Sequence, residues 1–490
     1  MEPESPHRGH STIKTHLRDI VRHGGIFGIG LILARLTSVV LLPVYTRILS
    51  PTDYGILAVL DIVSELLRLT IGTALTSSVD RFHFDRDEHG GQSRVWWTAL
   101  TALAVVATVA LVPVFALRTV LARVVLGPGV ANGATLFGLA LAALWFAMPE
   151  VLLQNHLRVM KRSNLYVTLS LCRLAVNASL NVMLLYHFKL GVAGVLLGNL
   201  VTGAIWTGLH VVIFRRIRGG VALEPSLLKP MVHFGMPLMV VALLSMAMHQ
   251  VGRYFLLAFV SLHDIGIYSF AQQIGQGVNS LILSPFSQIW SVVVFEIARL
   301  KERNRTYVAV FTLFTRCLIL VLLAASLASR LAVKVLAPPQ YGPAADLIPL
   351  ICLAYFFFSL DDHFRVPALV RKRTITLLPV YGLTVALTAT LNFLLVPRWG
   401  MVGAAWSTVG TFIGFAVFGL MSYRRVDVID YPIKKTLAAL GAAVAVYLVF
   451  RVFVANRSDI TAVFVGGVMW LALAAVFLGA PLKTWLGRPA

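Results

Sequence analysis

Long apolar runs separated by short polar and basic segments dominate the sequence. A helix needs about 20 apolar residues to cross the hydrocarbon core of a bilayer. Windows of that length predict fourteen spanning helices, at 25–45, 54–79, 95–116, 133–156, 164–187, 190–214, 231–258, 266–295, 306–329, 344–364, 374–396, 400–423, 436–453 and 460–482. Even the longest connections, 117–132 and 215–230, are too short to form a folded domain. The pattern predicts an all-α polytopic membrane protein.

The amino-acid composition excludes a soluble protein. Of the 490 residues, 58% are hydrophobic and 13% are charged, whereas about a quarter of the residues in a soluble domain are charged. The three cysteines, Cys172, Cys317 and Cys352, lie far apart inside apolar runs. The sequence therefore predicts neither a disulfide framework nor a cysteine metal site.

Basic residues are distributed unevenly between the two sides of the predicted membrane. The chain has 42 Lys and Arg against 21 Asp and Glu. If the N-terminus is inside, the inside connections carry 28 of the basic residues and the outside connections carry eight. Cytoplasmic loops are enriched in Lys and Arg in this way, so we expect both termini to be cytoplasmic. This distribution explains the positive charge without a nucleic-acid partner. No small-residue cleavage site follows the first apolar run, so we expect no signal peptide.

A shift of 211 residues aligns the first six predicted spans with the next six. At this offset Asp53-Tyr54-Gly55 falls on Asp264-Ile265-Gly266, and Leu180-Asn181 falls on Leu391-Asn392. Because six is an even number, both halves enter the membrane in the same orientation, as in parallel-repeat transporters with a substrate pathway between the halves. The predicted domains are a cytoplasmic tail at 1–24, six-helix bundles at 25–218 and 219–432, and two additional helices with a short cytoplasmic tail at 433–490.

The stretch Leu42-Pro43-Val44-Tyr45-Thr46-Arg47-Ile48-Leu49-Ser50-Pro51-Thr52-Asp53-Tyr54-Gly55 resembles the first outside loop of bacterial polysaccharide repeat-unit flippases. These are the Wzx-type members of the MOP superfamily, which also includes MATE drug exporters and lipid II flippases. The resemblance covers nearly the whole chain, including the arrangement of six, six and two spans. The same loop also has a local explanation, because Ser50, Pro51 and Asp53 suit the N-cap, first and third positions of a helix.

The resemblance implies a MATE-like fold and a transporter in the bacterial inner membrane. Its substrate would be undecaprenyl-diphosphate-linked oligosaccharide for O-antigen or exopolysaccharide synthesis, moved from the cytoplasmic to the outer leaflet by alternating access. The implied partners are this lipid-linked substrate, membrane lipids, and a polysaccharide polymerase with its chain-length regulator. No catalytic residue, metal or cofactor is expected. The sequence contains no GxxxxGK[ST] motif for nucleotide binding, so an ion gradient, the membrane potential or removal of product would supply the energy.

Other functions fit parts of the same pattern. A cation-coupled MATE exporter or a lipid II flippase would have a similar fold, although the two additional helices argue against a twelve-span exporter. A membrane-embedded polysaccharide polymerase or sugar–lipid transferase would need a sizeable outside loop or a soluble domain. The short connections disfavour this enzyme class.

Charged residues at bilayer depth are the best candidates for a substrate site, because such residues are costly and usually face a cavity or a partner. Asp61, Glu65 and Arg68 share one helical face, and Arg35 of the first span lies at a similar depth. One interpretation is a structural ion pair, either Arg35 with Glu65 or Asp61 with Arg68. The other is a cationic cavity that binds pyrophosphate through arginine, with the carboxylates responding to protons or Na⁺.

In the second half, the corresponding positions are polar but uncharged: Gln272, Gln276 and Asn279. This persistence predicts an inward, cavity-lining face in both halves. His249 and Arg253, one turn apart in the seventh span, are expected to reach the same cavity. Glu150 and Asp361 also occupy matching positions in the repeat. They are expected to form either a repeated gate or ion site, or hydrogen bonds between helices.

Overall fold

The protein is described from a computed structural model, which covers residues 43, 45–84, 91–160, 162–218, 223–298, 300–371, 373–453 and 459–486. Within these ranges the chain forms helices joined by short turns, with no strand. The α-helices are α1 (Pro51–Phe84), α2 (Gly91–Ala116), α3 (Arg118–Leu126), α4 (Gly133–Val159), α5 (Ser163–Val182), α6 (Gly191–Arg218), α7 (Leu228–Phe259), α8 (Leu262–Ile297), α9 (Arg303–Leu327), α10 (Ser329–Leu336), α11 (Ala344–Ser359), α12 (Asp361–Phe364), α13 (Val366–Val370), α14 (Leu377–Arg424), α15 (Ile433–Phe453) and α16 (Asp459–Leu486).

The helices confirm an all-α membrane protein. Nine helical segments in the described ranges are long and apolar enough to cross a bilayer, and Phe464–Phe477 is a shorter apolar segment. One of the nine, α14, covers two predicted spans and is interrupted at Gly400, whose φ of 53° is outside the helical region. Most of the first predicted span lies outside the described residues. The total of fourteen spans therefore stays a prediction.

The sequence repeat is visible as a repeat of structure. The helices α1 and α8 begin at Pro51 and Leu262, and α4 and α11 begin at Gly133 and Ala344, in both cases 211 residues apart. Each half also places a short helix, α3 or α10, after the third of its predicted spans. The positive φ of 53° at Lys189 recurs at Gly400, at the same offset. The two halves thus share element order and turn geometry.

A capping box begins α1, which confirms the local explanation of the first loop, and a related serine–aspartate cap begins α8. The Ser50 amide donates to the Asp53 carboxylate at 3.1 Å, and the Asp53 amide donates to the Ser50 hydroxyl at 3.1 Å. In the second half, the Asp264 amide donates to the Ser261 hydroxyl at 3.2 Å, and that hydroxyl donates to the Asp264 carboxylate. These bonds satisfy amide groups that a helix N-terminus otherwise leaves unpaired.

The chain divides into two compact units, and the boundaries fall inside α1 and α7. In the described part of the first unit, which contains Leu60–Leu243, α4 packs against α2, α3, α5 and α6. In the second unit, Tyr45–Val59 and Leu244–Ala490, α11 packs against α8, α9 and α14, while α9 also contacts α15 and α16. The helices α4 and α11 correspond to each other in the repeat.

Reciprocal glycine contacts join α1 and α8 within the second unit. A Cβ atom at Gly55 would overlap the carbonyl oxygen of Leu262, and a Cβ atom at Gly266 would overlap that of Pro51. Residues 51 and 262, like 55 and 266, are related by the repeat, so the contact has the self-complementary form of a two-fold interface. Nearby, the Tyr341 hydroxyl donates to the Leu49 carbonyl at 3.2 Å. Burial and the nearby Asp53 carboxylate raise the pKa of Tyr341, which keeps this donor protonated.

Substitution of Gly266 by Ala is expected to force α1 and α8 apart, because the new methyl group meets backbone rather than a flexible side chain. Overpacking of this kind costs about 1–3 kcal/mol. We expect a lower thermal unfolding temperature of the purified protein and lower abundance in the membrane. Gly277→Ala on the same helix is the matched control, since nothing lies within 4 Å of its added Cβ. Equal stability of the two variants would contradict the contact.

The predicted orientation can be tested by cysteine labelling in intact cells. Cysteines at Thr52 and Arg398, which are exposed, should react with a membrane-impermeant maleimide from outside. Cysteines at Arg162 and Arg305, also exposed, should react only after the membrane is permeabilised. Each is compared with the chain in which the three native cysteines are replaced. The reverse pattern would exclude the cytoplasmic placement of both termini.

Candidate functional site

An arginine–carboxylate pair lies within α1 at bilayer depth. Arg68 donates from Nε to one oxygen of Glu65 at 2.7 Å and from Nη2 to the other at 2.5 Å. The side chains remain 34% and 37% exposed, respectively. At 1.5 Å per residue, Arg68 lies roughly 21 Å along the helix from Tyr54. A partly exposed ion pair so deep in a spanning helix is expected to face a polar cavity rather than lipid.

The pairing on this face differs from one of the two structural ion pairs suggested by the sequence. Arg68 bonds to Glu65, three residues earlier, rather than forming the suggested bond to Asp61. Asp61 is exposed on the same helix. Arg35, the other suggested partner of Glu65, lies outside the described residues. The bidentate arrangement shows the fork of Arg68 in a geometry that suits carboxylate and phosphate equally.

A second arginine, Arg253, bonds to one of the polar residues that α8 carries at the positions matching Asp61, Glu65 and Arg68. Arg253 in α7 donates from Nε to the side-chain oxygen of Gln272 at 2.8 Å, so the structure brings these two predicted residues together. Gln272 and Asn279 are buried, whereas Gln276 is exposed. His249, one turn before Arg253, lies edge-on to Phe358 and Phe412 at ring distances of 4.9 and 5.4 Å. His249 is therefore enclosed by aromatic rings of α11 and α14.

Glu150 forms a buried ion pair between α4 and α5. Its side chain is 4% exposed and lies 2.7 Å from Nε of Arg173, which is 39% exposed. The Gln154 amide donates to the same carboxylate oxygen at 2.8 Å. In the sequence, Arg173 is an arginine inside the predicted span 164–187, with no partner visible nearby. The structure gives it one, because helix packing places the two spans side by side.

Asp361 belongs to a denser buried cluster, which we call the α12 cluster: Asp361, Asp362, His363 and Arg365. Arg365 is 3.5 Å from the Asp361 carboxylate and also pairs with Asp362. The Ser287 hydroxyl bonds to Asp362, whose backbone carbonyl accepts from Trp290 Nε1 at 2.9 Å. Asp361 and Asp362 are 4% and 8% exposed. One guanidinium thus compensates two buried carboxylates.

His363 of the α12 cluster is fully buried in a box of aromatic rings. Its ring lies 5.0–5.3 Å from the rings of Phe286, Trp290, Phe311 and Phe314. Neither ring nitrogen has a hydrogen-bond partner among the described residues. The Tyr431 hydroxyl donates to the His363 carbonyl at 2.9 Å, which fixes the short helix against the segment before α15. The side chain packs here as an apolar ring.

The repeat explains why the two carboxylates use their partners differently. Glu150 corresponds to Asp361, and Gln154 corresponds to Arg365, so both pairs have the same spacing of four residues. In the first half, the Gln154 amide is uncharged and cannot neutralise the Glu150 carboxylate. The positive charge comes instead from Arg173 of α5. In the second half Arg365 is itself the cation, and Thr384 occupies the position that matches Arg173.

Sequence reasoning singled out Asp361 but missed Asp362 and Arg365. The signal was present, since Asp361-Asp362-His363-Phe364-Arg365 interrupts an apolar run, and both partners lie within four residues of Asp361. Across the described ranges, no three His, Cys, Asp or Glu side chains come together as metal ligands. In the described parts of the spanning segments, the polar groups available to a ligand are therefore arginines, carboxylates in ion pairs and hydrogen-bonding side chains.

Comparison with known proteins shows which folds and which sequence family this chain is similar to. The structure is similar to one titled lipid II flippase MurJ, inward closed conformation, with a TM-score of 0.74 at 12% identity, covering 94% of this chain and 99% of that one. An inward-facing MATE multidrug resistance transporter of the MOP superfamily gives a TM-score of 0.62 at 13% identity, over 80% and 97% of the two chains. A mutant of the Vibrio cholerae MATE transporter VcmN gives 0.58 at 12% identity, over 85% and 98%.

At these identities the similarity establishes the MurJ- and MATE-like fold. A search of curated protein sequences finds no match to this chain. A sequence profile described as polysaccharide biosynthesis protein matches residues 20–291, more than half of the chain. The match includes the first-loop stretch, α1 with its Glu65–Arg68 pair, and Arg253 of α7. The chain belongs to the polysaccharide biosynthesis protein family.

Proposed function

We propose that the protein is a flippase that moves undecaprenyl-diphosphate-linked oligosaccharide repeat units across the bacterial inner membrane. Transfer would run from the cytoplasmic to the outer leaflet by alternating access. The family match supports a role in polysaccharide synthesis, and the fold resembles that of a lipid II flippase and of MATE transporters. A polysaccharide polymerase and chain-length regulator would use the product outside the membrane.

The observation that carries this proposal is the Glu65–Arg68 pair. Arginine keeps its charge at any depth and donates two parallel hydrogen bonds to phosphate oxygens. Glu65 occupies that fork in the structure, so its carboxylate stands where a phosphate group would bind. The pyrophosphate of the substrate would displace Glu65 from Arg68. Within the second unit, Arg253 is a further arginine in a spanning helix, and its guanidinium is held by Gln272.

Displacement of Glu65 also suggests how substrate movement is coupled to an ion. A carboxylate that loses its arginine at bilayer depth is costly unless it gains a proton or a cation. Binding of pyrophosphate would therefore favour uptake of a proton or Na⁺ by Glu65. Release of the pyrophosphate outside would let Arg68 and Glu65 pair again and expel the ion. Asp61 on the same face could serve in the same exchange.

The substrate assignment is tested by following lipid-linked oligosaccharide in cells depleted of this protein. We expect the oligosaccharide to accumulate in the cytoplasmic leaflet, where an external glycosidase or periodate cannot reach it. Restored expression should return it to the accessible pool. An unchanged accessible fraction would refute the proposal. Inaccessible lipid II with normal exposure of the oligosaccharide would instead assign the protein to the function named for its structural neighbour.

Arg68→Lys is expected to reduce flipping about tenfold or more while membrane abundance stays normal. Lysine retains the charge but loses the two-pronged donor, and hydrogen bonds to charged groups contribute about 1.5–3 kcal/mol. Arg316→Lys is the matched control, because Arg316 is another arginine within a span but donates to the Phe477 carbonyl. Normal flipping by Arg68→Lys would exclude Arg68 from the pyrophosphate site.

A further inference from the structure

The helix α5 exposes a face that is unusual for a membrane span. Its most exposed residues share one side at helical spacing: Asn164, Thr168, Cys172, Ala175 and Ser179. Of the nine apolar segments in the described ranges, the one that contains α5 has the lowest mean hydropathy and is the least buried. Polar side chains are costly in the hydrocarbon of a membrane. This face, which we call the α5 face, therefore suits water better than lipid.

The corresponding face of the second half has a different composition. The offset of 211 residues matches the five positions of the α5 face to residues in and just before α14, all of them exposed: Ile375, Pro379, Leu383, Ala386 and Thr390. At three of the five positions, a polar residue or cysteine of the first half is replaced by an apolar residue. Two exposed faces thus differ in polarity, which indicates that they meet different surroundings.

Polar side chains of α5 and α6 lie beside the α5 face. The Asn177 amide donates to the Asn199 side-chain oxygen at 3.0 Å and to the Thr202 hydroxyl at 3.3 Å. Asn199 is exposed, and its own amide nitrogen has no hydrogen bond to another described residue. Arg173, one turn before Asn177, is 39% exposed. We call these side chains the mid-depth cluster: Arg173, Asn177, Asn199 and Thr202.

The mid-depth cluster lies near the middle of the bilayer. Arg173 is nine residues from the inner end of the predicted span 164–187, and Asn199 is nine residues from the outer end of 190–214. At 1.5 Å per residue, each is roughly 14 Å from the nearer end of its span. A polar side chain that is exposed at this depth usually faces a water-filled cavity or a partner.

The second half buries its counterpart of the mid-depth cluster. Thr384 and Thr388 match Arg173 and Asn177 in the repeat, and they are 0% and 3% exposed. Each threonine hydroxyl donates at 2.7 Å to a carbonyl of its own helix. These side chains are therefore satisfied inside the helix, whereas Asn199 still offers a donor.

The charge of the mid-depth cluster favours a neutral ligand. The Arg173 guanidinium is already paired with Glu150 at 2.7 Å, and the other three side chains are uncharged. Amide and guanidinium groups offer several N–H donors, and an amide oxygen accepts. Such groups match the hydroxyls of a sugar, while a pyrophosphate would find no uncompensated cation here. The cluster thus differs in purpose from Arg68, which is proposed to bind phosphate.

We infer that the α5 face and the mid-depth cluster bind the saccharide of the transported lipid. The hydroxyl groups would bond to Asn199 and to the N–H groups of Arg173 that Glu150 does not occupy, while the sugar chain lies along the α5 face. This assignment rests on the proposed function for the identity of the substrate. All of the residues belong to the first unit.

Two native cysteines test whether the α5 face is wet. Cys172 and Cys317 are both exposed within predicted spans, but the exposed residues one turn from Cys317 are Leu313 and Val321, which suit lipid. The full-length protein, with only one of these cysteines retained, is reconstituted in phosphatidylcholine vesicles. A charged methanethiosulfonate reagent on both sides of the membrane should modify Cys172 at least tenfold faster than Cys317. Equally slow modification would place the α5 face in lipid and overturn the inference.

Protection of Cys172 then tests the saccharide. Undecaprenyl-diphosphate-linked oligosaccharide, extracted from cells depleted of this protein, should slow the modification at least fivefold. Undecaprenyl diphosphate without sugar should not slow it. Asn199→Ala should weaken the protection, because the free amide donor is lost. Thr390→Ala is the matched control, since it removes a polar side chain from the corresponding exposed face of α14 and should leave the protection unchanged.

Equal protection by both lipids, or protection that persists in Asn199→Ala, would overturn the saccharide site. If Asn199→Ala is not recovered folded, Asn199→Ser must still reduce the protection, and unchanged protection in that variant would refute the site. The proposed function fails by a different result, because depletion of the protein would then leave the accessible oligosaccharide in cells unchanged. Normal trapping of oligosaccharide on depletion, without protection of Cys172, would reject this site alone.

Discussion

Replacement of Arg365 by Ala is expected to remove most of the folded protein from the membrane. Asp361 and Asp362 are almost fully buried, and Arg365 pairs with both. Removing one partner of a buried ion pair costs about 3–5 kcal/mol, because a charge remains without compensation. The whole stability of a protein is only about 5–15 kcal/mol. Membrane abundance and the thermal unfolding temperature in detergent measure the effect.

Two further variants separate this electrostatic cause from general sensitivity. Arg371→Ala removes a more exposed cation, and the Asp427 carboxylate that it contacts is also bound by Arg303. Exposed pairs contribute about 0–1 kcal/mol, so its abundance should stay near normal. Adding Asp362→Asn to Arg365→Ala should recover part of the lost abundance. Full abundance of Arg365→Ala alone would show that the α12 cluster does not depend on this guanidinium.

The second large effect is expected at the Glu150–Arg173 pair, and it should be unequal between the partners. Glu150 is 4% exposed and Arg173 is 39% exposed. Arg173→Ala leaves a buried carboxylate uncompensated, which costs several kcal/mol. Glu150→Gln leaves an arginine whose long side chain can reach a polar environment, and Gln154 can still bond to the new amide. We therefore expect a large loss of thermal stability for Arg173→Ala and a small one for Glu150→Gln.

The double variant Glu150→Gln/Arg173→Ala should be more stable than Arg173→Ala, because the buried charge is gone. This result would establish electrostatic compensation as the role of Arg173. Flipping by Glu150→Gln then separates two roles of the carboxylate. Normal abundance with lost flipping would indicate a gate or ion site, whereas normal flipping would leave Glu150 with its structural ion pair alone. Equal loss of stability in all three variants would contradict the pairing.

The sequence predicted the arrangement of helices well because bilayer thickness and loop charge leave few alternatives. The apolar runs locate α2, α4, α6, α9 and α15, and the offset of 211 residues relates the starts of α1 and α8. Hydropathy could not show that the tenth predicted span, 344–364, would be divided after Ser359 into α11 and α12. After the division, Arg365 pairs locally with Asp361 and Asp362. The contacts of Asp362 with Ser287 and Trp290 of α8 are a tertiary property that hydropathy does not show.

The sequence predicted which residue types form the candidate site, but not which of these residues pair with each other. A period of 3.6 residues places Asp61, Glu65 and Arg68 on one face but does not decide which carboxylate the arginine chooses. Rotamers and neighbouring helices decide, and the structure selects Glu65. For Arg173 the partner is on another helix, and a single sequence contains no information on which spans are adjacent. Arg253 and Gln272, which the sequence places toward a common cavity, bond to each other between α7 and α8, and the cavity itself stays a prediction.

The reciprocal contacts of Gly55 and Gly266 have an evolutionary consequence. Before fusion, two identical copies of an ancestral six-helix chain would have packed this glycine against the corresponding residues of the other copy. A single mutation would then have damaged both contacts. After fusion the two copies mutate separately, and only positions at shared contacts must still change together. Charge could then accumulate at Glu65 and Arg68 while Gln276 and Asn279 stayed neutral. Duplication thus allowed corresponding positions to differ in charge while the shared glycine contacts were kept.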